Sequence, residues 1–192
     1  MKRRYSKTLK RRTHANPDAP VSTLREEDSL DHINALDHDP FLLVLDQVQD
    51  PRNLGACLRS ADGAGIDLVV LPSDRAAGLT ETVRHVACGA VENLKIVRVA
   101  NLARYLEKVS QMGIHLLGTS DQATKSVFDA KFSGPCGLVM GAEETGIRRL
   151  TAKQCDELIY IPMSGKVECL NVSVATGVCL FEARRQRISL SQ

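Results

Sequence analysis

Six short apolar runs set the limits on what this chain can fold into: FLLVLD (41–46), DLVVLP (67–72), LKIVRV (94–99), IHLLGTS (114–120), the start of CGLVMGAEETGI (136–147) and ELIYIP (157–162). Runs this short and this continuously apolar suit strands buried on both faces. The segments between them carry helix signals. Asn53 is placed to cap a helix running to about Ala64, with Gly65 at the stop. A weak helix fits 79–87. Residues 101–113 form a helix with Asn101 as cap and Gly113 as stop, RRLTAKQC is a short helix, and 171–187 is the closing one. Strand and helix alternate, which predicts an α/β fold: a parallel sheet with helices on both faces. Such sheets take ligands beyond the carboxyl ends of their strands. The loops after residues 46, 119, 140 and 161 are therefore where chemistry is expected.

A length of 192 residues allows one domain, and 43% hydrophobic content supplies its core. No apolar run approaches a membrane span, and the N-terminus lacks the apolar stretch of a signal peptide. A cytoplasmic location with no membrane partner is expected. None of the six cysteines forms a C-x-x-C pair or has a histidine at zinc spacing. Reduced, mostly buried thiols and no metal follow. Residues 1–30 are polar, contain Pro17 and Pro20 and read as an arm or linker, with order beginning near Asp31. Within it, residues 1–12 carry seven basic side chains and no acid, whereas the rest of the chain has a balance of −5. A basic arm on an acidic body points to an anionic partner such as nucleic acid, or to a solvated tail without a role. Charge alone does not choose between them.

The common phosphate cradles are missing. The turn after the first strand, DQVQDPRNLG, has one glycine where a dinucleotide site needs G-x-G-x-x-G, and no P-loop, G-x-S-x-G elbow or H-E-x-x-H occurs. Three polar clusters at strand ends remain. DPRNLGACLRSA holds Asn53, with Arg59 six residues on. GAEETGI holds Glu143 between Gly141 and Gly146, which let a backbone approach a ligand. IPMSGKVECLNVSVATG holds Asn171 and Ser173. Each alone is a capped helix or a glycine turn. Their joint appearance in this order is specific.

Together these motifs resemble the SpoU/TrmH family of SPOUT RNA 2′-O-methyltransferases, over about residues 29–188. HVACGAVE, RRLTAKQCDELIYIPM and VATGVCLFEARRQR are most similar to its large-subunit rRNA guanosine 2′-O-methyltransferases. The resemblance implies a C-terminal deep trefoil knot, S-adenosylmethionine as methyl donor, rRNA more than tRNA as substrate, and a homodimer through the knot region and closing helix. It implies that Gly118, Thr119, Met140, Gly141, Ile161, Met163 and Leu170 line the cofactor, and that Arg59, Asn53, Glu143, Asn171 and Ser173 form the catalytic set. Two features depart from the family. Cys169 stands where the motif usually has serine, and the stretch before Phe41 is too short and polar for the family branch's N-terminal L30e-like RNA-binding domain, which is expected to be absent.

The implied reaction is in-line attack of a ribose 2′-oxygen on a sulfonium methyl. A guanidinium stays protonated, so Arg59 is expected to grip phosphate and stabilise the developing alkoxide rather than act as base. Glu143 is expected to orient Arg59 or Asn53, with Glu144 a surface carboxylate. A tRNA ribose methyltransferase, a non-catalytic RNA-binding module that kept the fold and a small-molecule α/β enzyme are the other readings. In the last, the basic arm is incidental.

Overall fold

The structure is a computed structural model that describes residues 23–143 and 145–190. The basic segment 1–12 and Glu144 therefore lie outside the described residues. Seven parallel strands run in the order β3 (Ile96–Val99), β2 (Leu68–Pro72), β1 (Phe41–Leu45), β6 (Cys136–Met140), β4 (His115–Thr119), β7 (Glu157–Tyr160) and β5 (Lys125–Ser126). β1 lies inside the sheet beside the central strand β6, and pairs Leu43 with Val69 on one side and with Leu138 on the other. All five of its residues are buried.

Alternate side chains of each strand serve opposite faces. Phe41, Leu43 and Leu45 meet Leu54, Cys57 and Leu58 of α2 (Pro51–Ala64) and Cys179, Leu180 and Ala183 of α6 (Val172–Leu190), with α3 (Glu81–Ala87) beside α2. Leu42 and Val44 face the other way, onto Tyr105, Leu106 and Val109 of α4 (Leu102–Gln111) and Ile33 of α1 (Glu26–Asn34). The parallel sheet with helices on both faces is as expected.

Two elements depart from the sequence reading. The helix α1 and the bridge between Leu24 and Val97 lie in the stretch read as an arm, so regular structure starts well before Asp31. Three acidic residues in the first turn favour this helix electrostatically, and Ser29 Oγ and Tyr105 Oη share a buried 2.7 Å hydrogen bond. The two-residue strand β5, which pairs with β7 at the sheet edge, had no apolar run to announce it.

Helix α2 corrects a third expectation. Its cap is Asp50, not Asn53: Asp50 Oδ1 accepts from the Arg52 N–H at 2.7 Å, and Pro51 fills the first helical position. Asn53 sits inside the first turn with its carboxamide released from capping. The stop at Gly65 is as read, in the left-handed conformation at φ 78°. Asn101 caps α4, accepting from Arg104 N at 3.1 Å.

Candidate active site

The loops that follow β4, β6 and β7 surround a cleft of about 680 Å³. That volume lies within the range of small-molecule sites. Of the residues expected to line a cofactor, Thr119, Met140, Gly141, Ile161, Met163 and Leu170 do line this cleft. Gly118 does not. It lies in β4, where a Cβ would run into Cys155, Leu158 and Ile147, so its bareness serves packing beneath the site. Ile147, Val172 and Ala175 also line the cleft and were not read from sequence, because each looked like an ordinary core residue.

One loop gives the cleft its shape. After Met140 the chain turns at Gly141 and returns at Gly146, with Ala142 N–H donating to Gly146 O at 3.2 Å and Gly146 N–H to Ala142 O at 2.9 Å. The turn is so close that a Cβ on Gly141 would coincide with the backbone of Gly146 and Ile147. Gly146 is needed for a different reason, its φ of 63°.

This loop carries Glu143, and a polar cluster converges on its carboxylate. Oε1 accepts from Asn53 Nδ2 at 3.1 Å, from the backbone N–H of Val172 at 3.0 Å and from Asn171 Nδ2. Asn171 Nδ2 also donates to Asn53 Oδ1 at 3.0 Å. The other end of Asn171 caps α6, Oδ1 accepting from Ser173 N at 3.0 Å and Ser173 Oγ at 2.6 Å. Three chain segments thus meet with each amide fixed in one orientation. Glu143 orients Asn53 and Asn171. Ser173 contacts only Asn171 within the cluster and acts through it.

Arg59 is the residue the fold does not bring in. Six residues place it about 240° around the helix from Asn53. It is exposed, lines no part of the cleft, and no hydrogen bond or ion pair engages its guanidinium among the described residues. It lies one turn from Gly63, where an added Cβ would sit 3.6 Å from the Phe181 ring of α6. On α6 the core face is Val172, Thr176, Cys179, Leu180 and Ala183, whereas Val174 and Phe181 are each 52% exposed and Ile188 is 44% exposed. Their seven-residue spacing makes one apolar stripe.

The thiols divide in two. Burial pushes Cys57 and Cys136 up to about 11, and Cys155 and Cys179 up to about 12. Cys88 and Cys169 are exposed, and Cys169 lines the cleft. Alkylation near pH 8 should therefore label these two first. Cys169→Ser should leave turnover within about twofold or raise it, since a hydroxyl is of similar shape and a stronger donor. A large loss would assign the thiol a role of its own. No cluster of three metal-ligating side chains occurs among the described residues, and no helix there is long and apolar enough to cross a membrane.

Known proteins are similar to this chain in sequence and in fold. The 23S rRNA (guanosine-2′-O-)-methyltransferase RlmB of Escherichia coli is 54% identical over 168 residues, which is 88% of this chain and 69% of that protein. The protein of the same name from Vibrio vulnificus is 53% identical over 170 residues, 88% of this chain and 68% of that one. Among solved structures, the SpoU methyltransferase AviRb from Streptomyces viridochromogenes, in complex with the cofactor AdoMet, matches with a TM-score of 0.75 at 32% identity. That match covers 83% of this chain and 65% of AviRb. Residues 40–181, which contain the sheet, the cleft and the whole polar cluster, match the SpoU rRNA Methylase family, and the chain belongs to that family.

Proposed function

We propose that this chain transfers a methyl group from S-adenosylmethionine to the 2′-oxygen of a guanosine ribose in 23S rRNA. The observation that carries the reading is the Asn53–Glu143–Asn171 cluster at the lip of the cleft. The substrate follows from the two guanosine methyltransferases that share about half of its sequence. The cleft fits the cofactor: Met140, Ile161 and Leu170 offer apolar contact, and the close turn that a bare Gly141 permits against Gly146 and Ile147 shapes its wall. When bound, the cofactor supplies an electrophilic methyl on a sulfonium sulfur.

The protein's own work is positioning. Asn53 and Asn171, held by Glu143, present fixed amide dipoles beside the reacting ribose. Glu143 accepts three hydrogen bonds at Oε1, which suits a carboxylate that orients neighbours rather than one that collects a proton. Arg59 supplies planar, permanently charged donors on the RNA side. Because it lies outside its own cleft, one turn from the Gly63–Phe181 approach of α2 to α6, the reading includes a homodimer in which Arg59 of each copy reaches the other's cleft. Phe181→Glu should then yield monomers by light scattering and lose methyl transfer while keeping its fold. A dimer that persists in this variant removes α6 from the interface.

The trefoil knot belongs to the same reading. It is supported by the path from β6 past β4 to β7 and back through 161–171 to α6, which packs beside α2 and β6. A cytoplasmic site of action follows from the substrate. The basic segment 1–12 supplies salt-sensitive, sequence-blind attachment to RNA, and selection rests on other contacts.

The deciding assay is transfer of labelled methyl from S-adenosylmethionine to 23S rRNA transcripts and to tRNA. Incorporation at a guanosine ribose of the rRNA is expected. Incorporation into tRNA alone would move the substrate class. Adenosylhomocysteine binding with no transfer to either RNA would favour a non-catalytic RNA-binding protein.

A further inference from the structure

The first residue after β1, Asp46, is 0% exposed. A buried carboxylate is costly unless it is paired and hydrogen-bonded. Its partner lies 102 residues on: Arg148 Nε and Nη2 each reach Oδ1 at 2.7 Å, and the Arg148 backbone N–H donates to Oδ2 at 3.0 Å. The backbone N–H of Asp46 donates to Met140 O at 2.8 Å. One residue therefore grips the chain on both sides of the Gly141–Ile147 loop, at Met140 before it and at Arg148 after it.

What lies between those grips is functional surface. Met140 to Gly141, Ala142, Glu143, Gly146 and Ile147 all line the cleft, whereas Asp46 and Arg148 do not. Asp46 is buried and Arg148 is partly exposed, and an ion pair with one buried partner adds little to stability over an apolar pair of the same volume. What it does supply is orientation, since two guanidinium nitrogens converge on Oδ1 while the backbone N–H of the same residue takes Oδ2, fixing side chain and main chain together. Resting on the methyl-transfer reading, we propose that Asp46 and Arg148 are positioning residues that hold the 141–147 loop in the shape that meets the cofactor and aims Glu143 at Asn53 and Asn171.

Arg148→Lys keeps the charge and loses the fork, and Asp46→Asn keeps the shape and loses the charge. Either should lower kcat about tenfold or more, as misplacement by about an ångström does, and weaken adenosylhomocysteine binding. Amide exchange at Ala142 and Gly146 should quicken about tenfold, with the amides of β1 and β2 unchanged. If the pair acts through Glu143, adding Arg148→Lys to Glu143→Gln should cost no more than about twofold further in single-turnover rate. Multiplicative losses would overturn the proposal. So would a lowered Tm with unchanged turnover and loop exchange, which would make the pair a stability element alone. Should the wild-type chain methylate no RNA, the reaction reading fails, and loop exchange still decides the clamp. Either substitution serves if the other does not fold.

Discussion

Arg59→Ala is expected to lower methyl transfer by about 10²- to 10³-fold, the scale of losing one donor aimed at developing negative charge. Affinity for adenosylhomocysteine should stay within about twofold, because Arg59 lies outside its own chain's cleft and takes no part in the Asn53–Glu143–Asn171 cluster. Arg59→Lys should fail nearly as badly, since an ammonium reproduces the charge but not the planar set of donors. Near-normal turnover by the lysine variant would reduce Arg59 to a point charge. The proposed dimer adds a sharper test. Arg59→Ala and Asn171→Ala copies, each inactive alone, should recover activity when mixed, because one cleft of the mixed dimer then has an intact Asn171 facing an intact Arg59. No recovery would place both residues in the same copy's site.

Gly141→Ala should have the largest effect of any single methyl group added to this chain. The added carbon would coincide with the backbone of Gly146 and Ile147, where no side-chain rotation can give way. The loop must open, and the cleft wall and Glu143 move with it. A loss of stability of about 2–3 kcal/mol, the upper range for overpacking, should accompany loss of adenosylhomocysteine binding in calorimetry. Gly146→Ala is the control. Its φ of 63° makes alanine uncomfortable, but nothing lies within 4 Å of the new carbon. A cost of about 1–2 kcal/mol is expected, with binding retained. Equal damage from both would show that backbone conformation, not close approach, sets the loop.

The strands were legible because a strand covered on both faces can hold almost nothing but apolar residues, and FLLVL or LVVLP leaves little else to be. Helix α1 was hidden: Ile33 and the Ser29–Tyr105 contact bind it to the body, and neither makes a periodic pattern in a segment crowded with charge. At α2 two good capping residues stood three apart. Pro51 decided for Asp50, since proline fits the first helical position, and that choice is what frees Asn53. The polar cluster was legible as a set of motifs, but its wiring was not. Nothing local says that Glu143 holds two asparagines rather than Arg59. Asp46 escaped notice because an aspartate just after a strand looks like a turn residue until its partner 102 residues away is seen.

The sheet order also governs when this protein can begin to work. The interior strand β1 pairs with the central strand β6 through Leu42 and Gly137. A ribosome adding about 5–20 residues per second takes roughly 5 to 19 s to cover the distance between them. Throughout that interval one edge of β1 is without its neighbour. Asn171 arrives later still, and it joins the other two members of the cluster only once α6 has begun. A growing chain therefore gains its sheet before its chemistry, and any copy that stops short of residue 171 is a scaffold with an unfinished centre.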